Sequence, residues 1–174
     1  FYFYIYYFSF TNCSKADIIV FDLYYKNTLT GAKKKIKKIK RLRWYNSLSY
    51  GTARIAIKRD SLQKANIWFS VLYGGGAPYT SGEDSLFIRE SLKKGLIAYT
   101  YPYIIAQVKQ ESSTWFNGFT DKYYYDKGLW LANAFPLLKY PLGIYYSYRL
   151  RNSSEKSWKD IMKLIIGGIR NFNK

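Results

Sequence analysis

The sequence predicts an α/β or α+β protein, on three observations. Short apolar runs rich in aromatic and β-branched residues read as strands. Between and after them, apolar residues recur at helical spacing. No repeat period links the segments, so strands and helices form one mixed architecture. The 174 residues are enough to bury a core.

The elements follow in order. FYFYIYYFSF (1–10) suits a buried strand. It is too short to span a bilayer, which takes about 20 helical residues, and it lacks the basic start and cleavage site of a signal peptide. ADIIVFDLYY (16–25) is a second strand, its apolar run Ile18 to Phe21 bounded by Asp17 and Asp22. A turn at Gly31 then opens a basic run, Lys33 to Arg43. Ile36, Ile39 and Leu42 recur there every third residue, which fits a basic helix with a narrow apolar stripe. A solvated charged loop fits the same residues. If the run has a ligand, it is anionic lipid or a polyphosphate, and each Lys or Arg near an anionic membrane is worth about 1 kcal/mol.

TARIAIKRD (52–60) alternates Ala53, Ile55 and Ile57 against Arg54, Ala56 and Lys58, as a strand does. SLQKAN (61–66) is a short helical turn, and IWFSVLY leads into three glycines. In SLFIRESLKK (85–94), Leu86, Phe87 or Ile88, and Leu92 keep helical spacing, with Gly95 at the C-terminal cap. LIAYTYPYIIAQVKQ (96–110) is strand-like, with a break expected at Pro102. ESSTWFNGFTDKYYYDKG (111–128) is polar and aromatic and turns at Gly118.

The apolar stretch 129–152 is expected to break at Pro136 and Pro141, so it is not one spanning helix. Residues 154–172 form an amphipathic helix whose apolar face is Trp158, Ile161, Met162, Ile165 and Ile169. Lys156, Lys159, Lys163 and Arg170 add charge. Packing on the domain and docking on a membrane both account for that face. The expected division is a domain over 1–128 and a helical, membrane-associated segment over 129–174.

Composition narrows the chemistry. The formal net charge is +17 and aromatic residues make up 21%. A coding sequence rich in A and T supplies Lys, Tyr, Phe, Ile and Asn without selecting a surface, so charge alone does not argue for nucleic acid. It does concentrate phosphates, nucleotides and anionic lipid near the protein. The single cysteine, Cys13, rules out an internal disulfide. With no histidine, zinc sites and His-based triads lose their usual members. Acid–base work falls to carboxylates, Tyr or Lys.

The stretch YGGGAPYTSGEDSLF (73–87) carries the most chemistry. A phosphate-binding P-loop needs a lysine and then Ser or Thr after its last glycine, but Ala77 and Pro78 follow Gly76. Dinucleotide-binding glycines are spread over the turn into a helix, and these are contiguous. They serve either as a plain turn or to bring the backbone close to a ligand. Glu83 and Asp84 fall at a helix start, where Thr80 or Ser81 can cap and where negative charge is favoured. The bland reading is a capping pair. The functional one is a general base, worth about 10²–10⁴-fold. STWF (113–116) offers two hydroxyls, an indole and a ring, which serve a sugar site or a turn beside a core tryptophan.

The order of these segments, GGGAPYTSGEDSLFIRESLKKGLIAYTYP and then VKQESSTWFNGFTDKYYYDKG, resembles the C-terminal half of bacterial family 2 glycosyltransferases. The resemblance runs from about Ala16 to the end and is sharpest over Gly74–Gly128. It implies a partial nucleotide-diphosphosugar transferase (GT-A-like) fold, with a mixed sheet, flanking helices and a C-terminal helical segment. Asp84 would be the catalytic base and Glu83 its neighbour. Gly75, Gly76, Ser113, Thr114, Trp115 and Phe116 would line the substrate cleft. The reaction would move a sugar from a nucleotide-diphosphosugar to a sugar or lipid-linked sugar acceptor, with inversion. It would serve cell-envelope or capsular polysaccharide synthesis at the cytoplasmic face of the membrane, on an anionic surface.

The family uses Mg²⁺ or Mn²⁺ on an Asp-x-Asp motif, and this sequence has no Asp-x-Asp. Asp17 with Asp22, and Asp121 with Asp126, are too far apart in sequence to replace it. Together with the start at Phe1, this fits an incomplete chain with little or no transfer activity alone. The rival reading is a basic, aromatic nucleic-acid-binding module, with Lys33–Arg43 on phosphates and tyrosines stacking bases. Its signature would be steeply salt-dependent binding.

Overall fold

The computed structural model describes residues 13–26, 35–109 and 118–172. The expected strand over 1–10, the turn at Gly31 and the segment Ser113–Phe116 lie outside the described residues. Those described form an α/β structure, with a four-stranded mixed sheet and five α-helices. Two compact units divide the chain: 1–70 with 84–113, and 71–83 with 114–174.

The first unit is built on the sheet. Its strands are β1 (Ile18–Lys26), β2 (Lys40–Arg41), β3 (Ile55–Ile57) and β4 (Ala98–Lys109), in the order β2-β4-β1-β3. The central pair β1–β4 is parallel, and both edge strands run antiparallel to their neighbours. β1 is apolar on both faces because both are covered, as an inner strand requires. Ile18 and Val20 pack with Ile36, Leu42 and Ala98, while Ile19 and Phe21 pack with Cys13 and Ala16. Ile55 and Ile57 meet Ile67, Phe87 and Ile88, which belong to the layer of α1 (Arg59–Ala65) and α2 (Glu83–Lys93).

Several expectations shift on contact with the tertiary structure. β4 continues through Pro102. Val20 faces Thr100 while Asp22 faces Ile104, so a register irregularity takes up the proline where no ladder donor is needed. The described part of the basic run is not a helix. Its backbone bonds to the sheet instead: Ile36 N–H donates to Asp22 (3.1 Å), Lys40 N–H to the Thr100 hydroxyl (3.0 Å) and Leu42 N–H to the Ala98 carbonyl (2.7 Å). Ile36 and Leu42 are buried, whereas Ile39 is exposed. Repulsion between lysines one helical turn apart opposes the helix as well.

The strand expected over 52–60 shrinks to β3, preceded by a 3-10 turn at Thr52–Arg54. That turn carries Arg54 inward, onto Asp22 at 3.0 Å, with both side chains buried. α2 ends in a Schellman cap, as Gly95 suggested. Gly95 has φ +86°, its N–H donates to Leu92 O, and Leu96 N–H donates to Ser91 O.

The second unit holds α3 (Asp121–Ala134), α4 (Lys139–Arg149) and α5 (Trp158–Asn171). Thr120 caps α3 by accepting from Tyr123 N–H, and Ser157 caps α5 by accepting from Asp160 N–H. α3 stops before Pro136. Pro141 breaks nothing, because it is the third residue of α4, where an N–H has no intrahelical partner. α5 packs on both α3 and α4. It meets α3 glycine to glycine: a Cβ at Gly128 would overlap the Ile165 carbonyl oxygen, and one at Gly168 the Tyr125 carbonyl oxygen.

Candidate active site

Glu83 and Asp84 are consecutive, yet each lies against a glycine of a different unit. In the helical unit, the glycine stretch folds back on itself. Tyr79 N–H donates to Leu72 O and Gly74 N–H to Tyr79 O, both at 3.0 Å, and the Tyr73 and Tyr79 rings lie 5.0 Å apart. Gly74 takes φ +118°, and the Glu83 carboxylate fills the space its Cβ would occupy, with Oε1 3.0 Å from that point. Glu83 Oε2 also accepts from Gly82 N–H at 3.0 Å. Gly82 itself, at φ +125°, packs so close to the Trp130 indole that a Cβ there would overlap the ring. It also holds the position before the first helical residue, where Thr80 or Ser81 was expected to cap.

The close approach is therefore made at Gly74. Gly75 and Gly76 are exposed, and nothing lies within 4 Å of a Cβ position at Gly76. The rest of the loop is tied to α3. Asp126, buried, accepts from Thr80 N–H and from Lys122 Nζ, each at 2.9 Å, and Lys122 Nζ donates to Pro78 O at 2.7 Å. The Trp130 indole N–H is buried without a hydrogen-bond partner among the described residues. Burial pushes the Tyr73 phenol above its ordinary range; Asn133 works against this, and Tyr79 and Asp126 reinforce it.

In the sheet unit, Asp84 is half-buried in the first turn of α2. Its Oδ2 stands 3.2 Å from where a Cβ would sit on Gly51. Gly51 has φ −87°, so it is a glycine for room rather than for backbone conformation. No sequence signal singled it out. Two other carboxylates of this unit are used in the frame. Asp17 accepts from the Ser61 hydroxyl (2.6 Å) and Ile97 N–H (2.8 Å). Asp22 accepts from Arg54, Leu23 N–H and Ile36 N–H. Among the described residues the Asp84 carboxylate has neither a hydrogen bond nor an ion pair. Asp60 and Glu155 share that state, but both are exposed.

A lysine of the helical unit is displaced from its usual chemistry. Burial, and then the charge of Arg149, lower Lys127 to about 8. Its ammonium lies 4.8 Å from the centre of the Trp130 ring and 5.7 Å from that of Tyr123. Among the described residues no three of His, Cys, Asp and Glu lie close enough to hold a metal ion. Ser113, Thr114, Trp115 and Phe116 lie outside the described residues. Compared with known proteins, the chain matches no family model and no curated protein.

Proposed function

We propose that the chain is the acceptor-side part of an inverting glycosyltransferase of the family 2 kind, with Asp84 as its general base. The observation that carries this reading is the state of Asp84, a half-buried carboxylate at a helix start with no partner among the described residues. The carboxylate is only half-buried and is not committed to the frame, so it is open to a donor, and an acceptor hydroxyl would donate to it. Asp84 would take the hydroxyl proton as the oxygen attacks the anomeric carbon of the donor sugar. The new C–O bond forms as the bond to the leaving diphosphate breaks on the opposite face. The GT-A-like topology belongs to the same proposal, supported by the parallel β1–β4 pair with α2 between them in sequence.

In that family Mg²⁺ or Mn²⁺ neutralises the leaving diphosphate. The residues here do not fit the ion: Asp17, Asp22 and Asp126 are committed to other bonds, and no Asp-x-Asp occurs. No step is therefore assigned to a metal on this chain. In the complete protein, Asp84→Asn should lower kcat about 10²–10⁴-fold and leave donor affinity nearly unchanged. Full turnover by that variant would remove Asp84 from the mechanism. Transfer from a nucleotide sugar by the 174 residues alone would overturn the view that the donor site is incomplete here.

The proposal includes an acceptor presented at an anionic membrane surface. No helix among the described residues is long and apolar enough to cross a membrane. The amphipathic helix α5 turns Ile161, Ile165 and Ile169 into the core. α4 keeps the opposite balance, with Tyr140, Ile144, Tyr145 and Tyr148 exposed and Leu137 before it 95% exposed. Arg149 and Arg151 adjoin this face and are exposed. Tyrosines beside basic residues suit the headgroup layer of an anionic bilayer.

A further inference from the structure

A cleft of about 450 Å³ opens in the sheet unit, lined in part by Lys35, Lys37, Lys38, Lys40, Tyr50 and Thr100. Four lysines line one cavity, and no carboxylate among the described residues pairs with any of them. The acid built into this part of the frame, Asp22, is already committed to Arg54 and to the N–H groups of Leu23 and Ile36. Like charges gathered without a counter-ion repel, and that repulsion is relieved when an anion enters.

The lysines are carried on a fixed backbone. Ile36 N–H is held by Asp22 at one end. At the other, the buried Thr100 hydroxyl accepts from Lys40 N–H and donates to Lys38 O, both at 3.0 Å. The origins of these long side chains are thereby set beside the cavity. Tyr50 forms part of the wall, and burial pushes its phenol above the usual range, Arg54 opposing and Asp22 adding to the shift. It is therefore an O–H donor at neutral pH.

We propose that this cleft binds a free di- or triphosphate anion. The size supports a small ligand, since pockets for small molecules run from roughly 300 to 1,000 Å³. Nucleic acid and bilayers present extended surfaces instead. The inference does not depend on Asp84 or on the transferase reading.

Calorimetric titration of the whole chain with inorganic pyrophosphate at low salt tests it. One saturable site is expected. The variant Lys35→Gln/Lys37→Gln/Lys38→Gln should weaken it about tenfold or more. A control with the same loss of charge, Lys15→Gln/Lys64→Gln/Lys159→Gln, uses exposed lysines outside the cleft and should change affinity little. Thermal melts of both variants check that they remain folded. Equal weakening in both would mean diffuse attraction to a basic protein and would overturn the site. So would a flat titration at millimolar pyrophosphate, including the case where phosphatidylglycerol vesicles or single-stranded RNA bind through Lys35, Lys37 and Lys38.

Discussion

In the sheet unit two acids, Asp17 and Asp22, go into the frame and a group of lysines is left over. In the helical unit three lysines pair with acids and apolar side chains of one helix are left over. Asp17 and Asp22 take hydrogen bonds from the backbone, Ser61 and Arg54, while Lys35, Lys37, Lys38 and Lys40 have no acidic partner among the described residues. Lys122 pairs with Asp126 within α3, Lys163 with Asp160 within α5, and Lys156, just before α5, with Asp121 of α3. There α5 buries its isoleucines while α4 leaves tyrosines in solvent. A group already engaged by the fold is held in place and costs stability to remove. A group left over is the one with interactions still to give.

The largest expected effect breaks the helical unit at its tightest point. Gly168→Val puts a side chain where the Tyr125 carbonyl oxygen already lies, and backbone cannot yield as a side-chain tip can. Overpacking typically costs about 1–3 kcal/mol, and backbone overlap exceeds that range. Urea unfolding should find the α3–α5 pair lost or the protein insoluble; a variant of wild-type stability would mean that the two helices are not in contact.

Next comes the frame of the sheet unit. Asp22→Ala leaves Arg54 buried without its carboxylate, and breaking such a pair costs about 3–5 kcal/mol. Chemical denaturation measures it, and a loss under about 1 kcal/mol would mean that water reaches the guanidinium.

Lys127→Met has a smaller effect with the opposite sign. The folded-state value, about 8, lies below the ordinary 10.5. The unfolded chain thus holds the proton more tightly between these values. The cost of charging Lys127 in the fold is full below pH 8 and fades as pH rises toward 10.5. The methionine variant should be more stable than wild type at pH 7, by about 1–3 kcal/mol, and the gap should close at high pH. A gap independent of pH between 7 and 10 would assign the difference to packing alone.

The smallest stability effect sharpens the contrast from the other side. Tyr140→Ser/Ile144→Ser/Tyr148→Ser alters exposed positions of α4, so melting should shift by no more than about 0.5 kcal/mol per site. Flotation with phosphatidylglycerol vesicles should nevertheless fall sharply. Unchanged flotation would take the α4 face out of any membrane role.

Much of this arrangement was legible along the chain. The apolar run Ile18 to Phe21 announces an inner strand, and Gly95 announces the end of α2. The glycine run and the acid pair drew notice, but the division of labour among them did not. Gly74 and Glu83 interlock nine residues apart, and Gly51 gives Asp84 its room from 33 positions away. Neither contact leaves a mark on local composition.

Sequence alone determined the inner strand Ile18–Lys26, the amphipathic C-terminal helix and the glycine stop of α2. Side-chain periodicity, turn glycines and caps act over a few residues, so their energies are set before any distant segment arrives. Tertiary structure decided which polar groups are satisfied. Alternation put Arg54 on the outer side of a strand, and Asp22, 32 residues away, drew it inside. The basic run exchanged a helix for hydrogen bonds to the sheet, and α5, with the strongest amphipathic pattern, was covered by its neighbours. Such outcomes depend on which partners other segments bring to the same point, and a single stretch of chain carries no record of them.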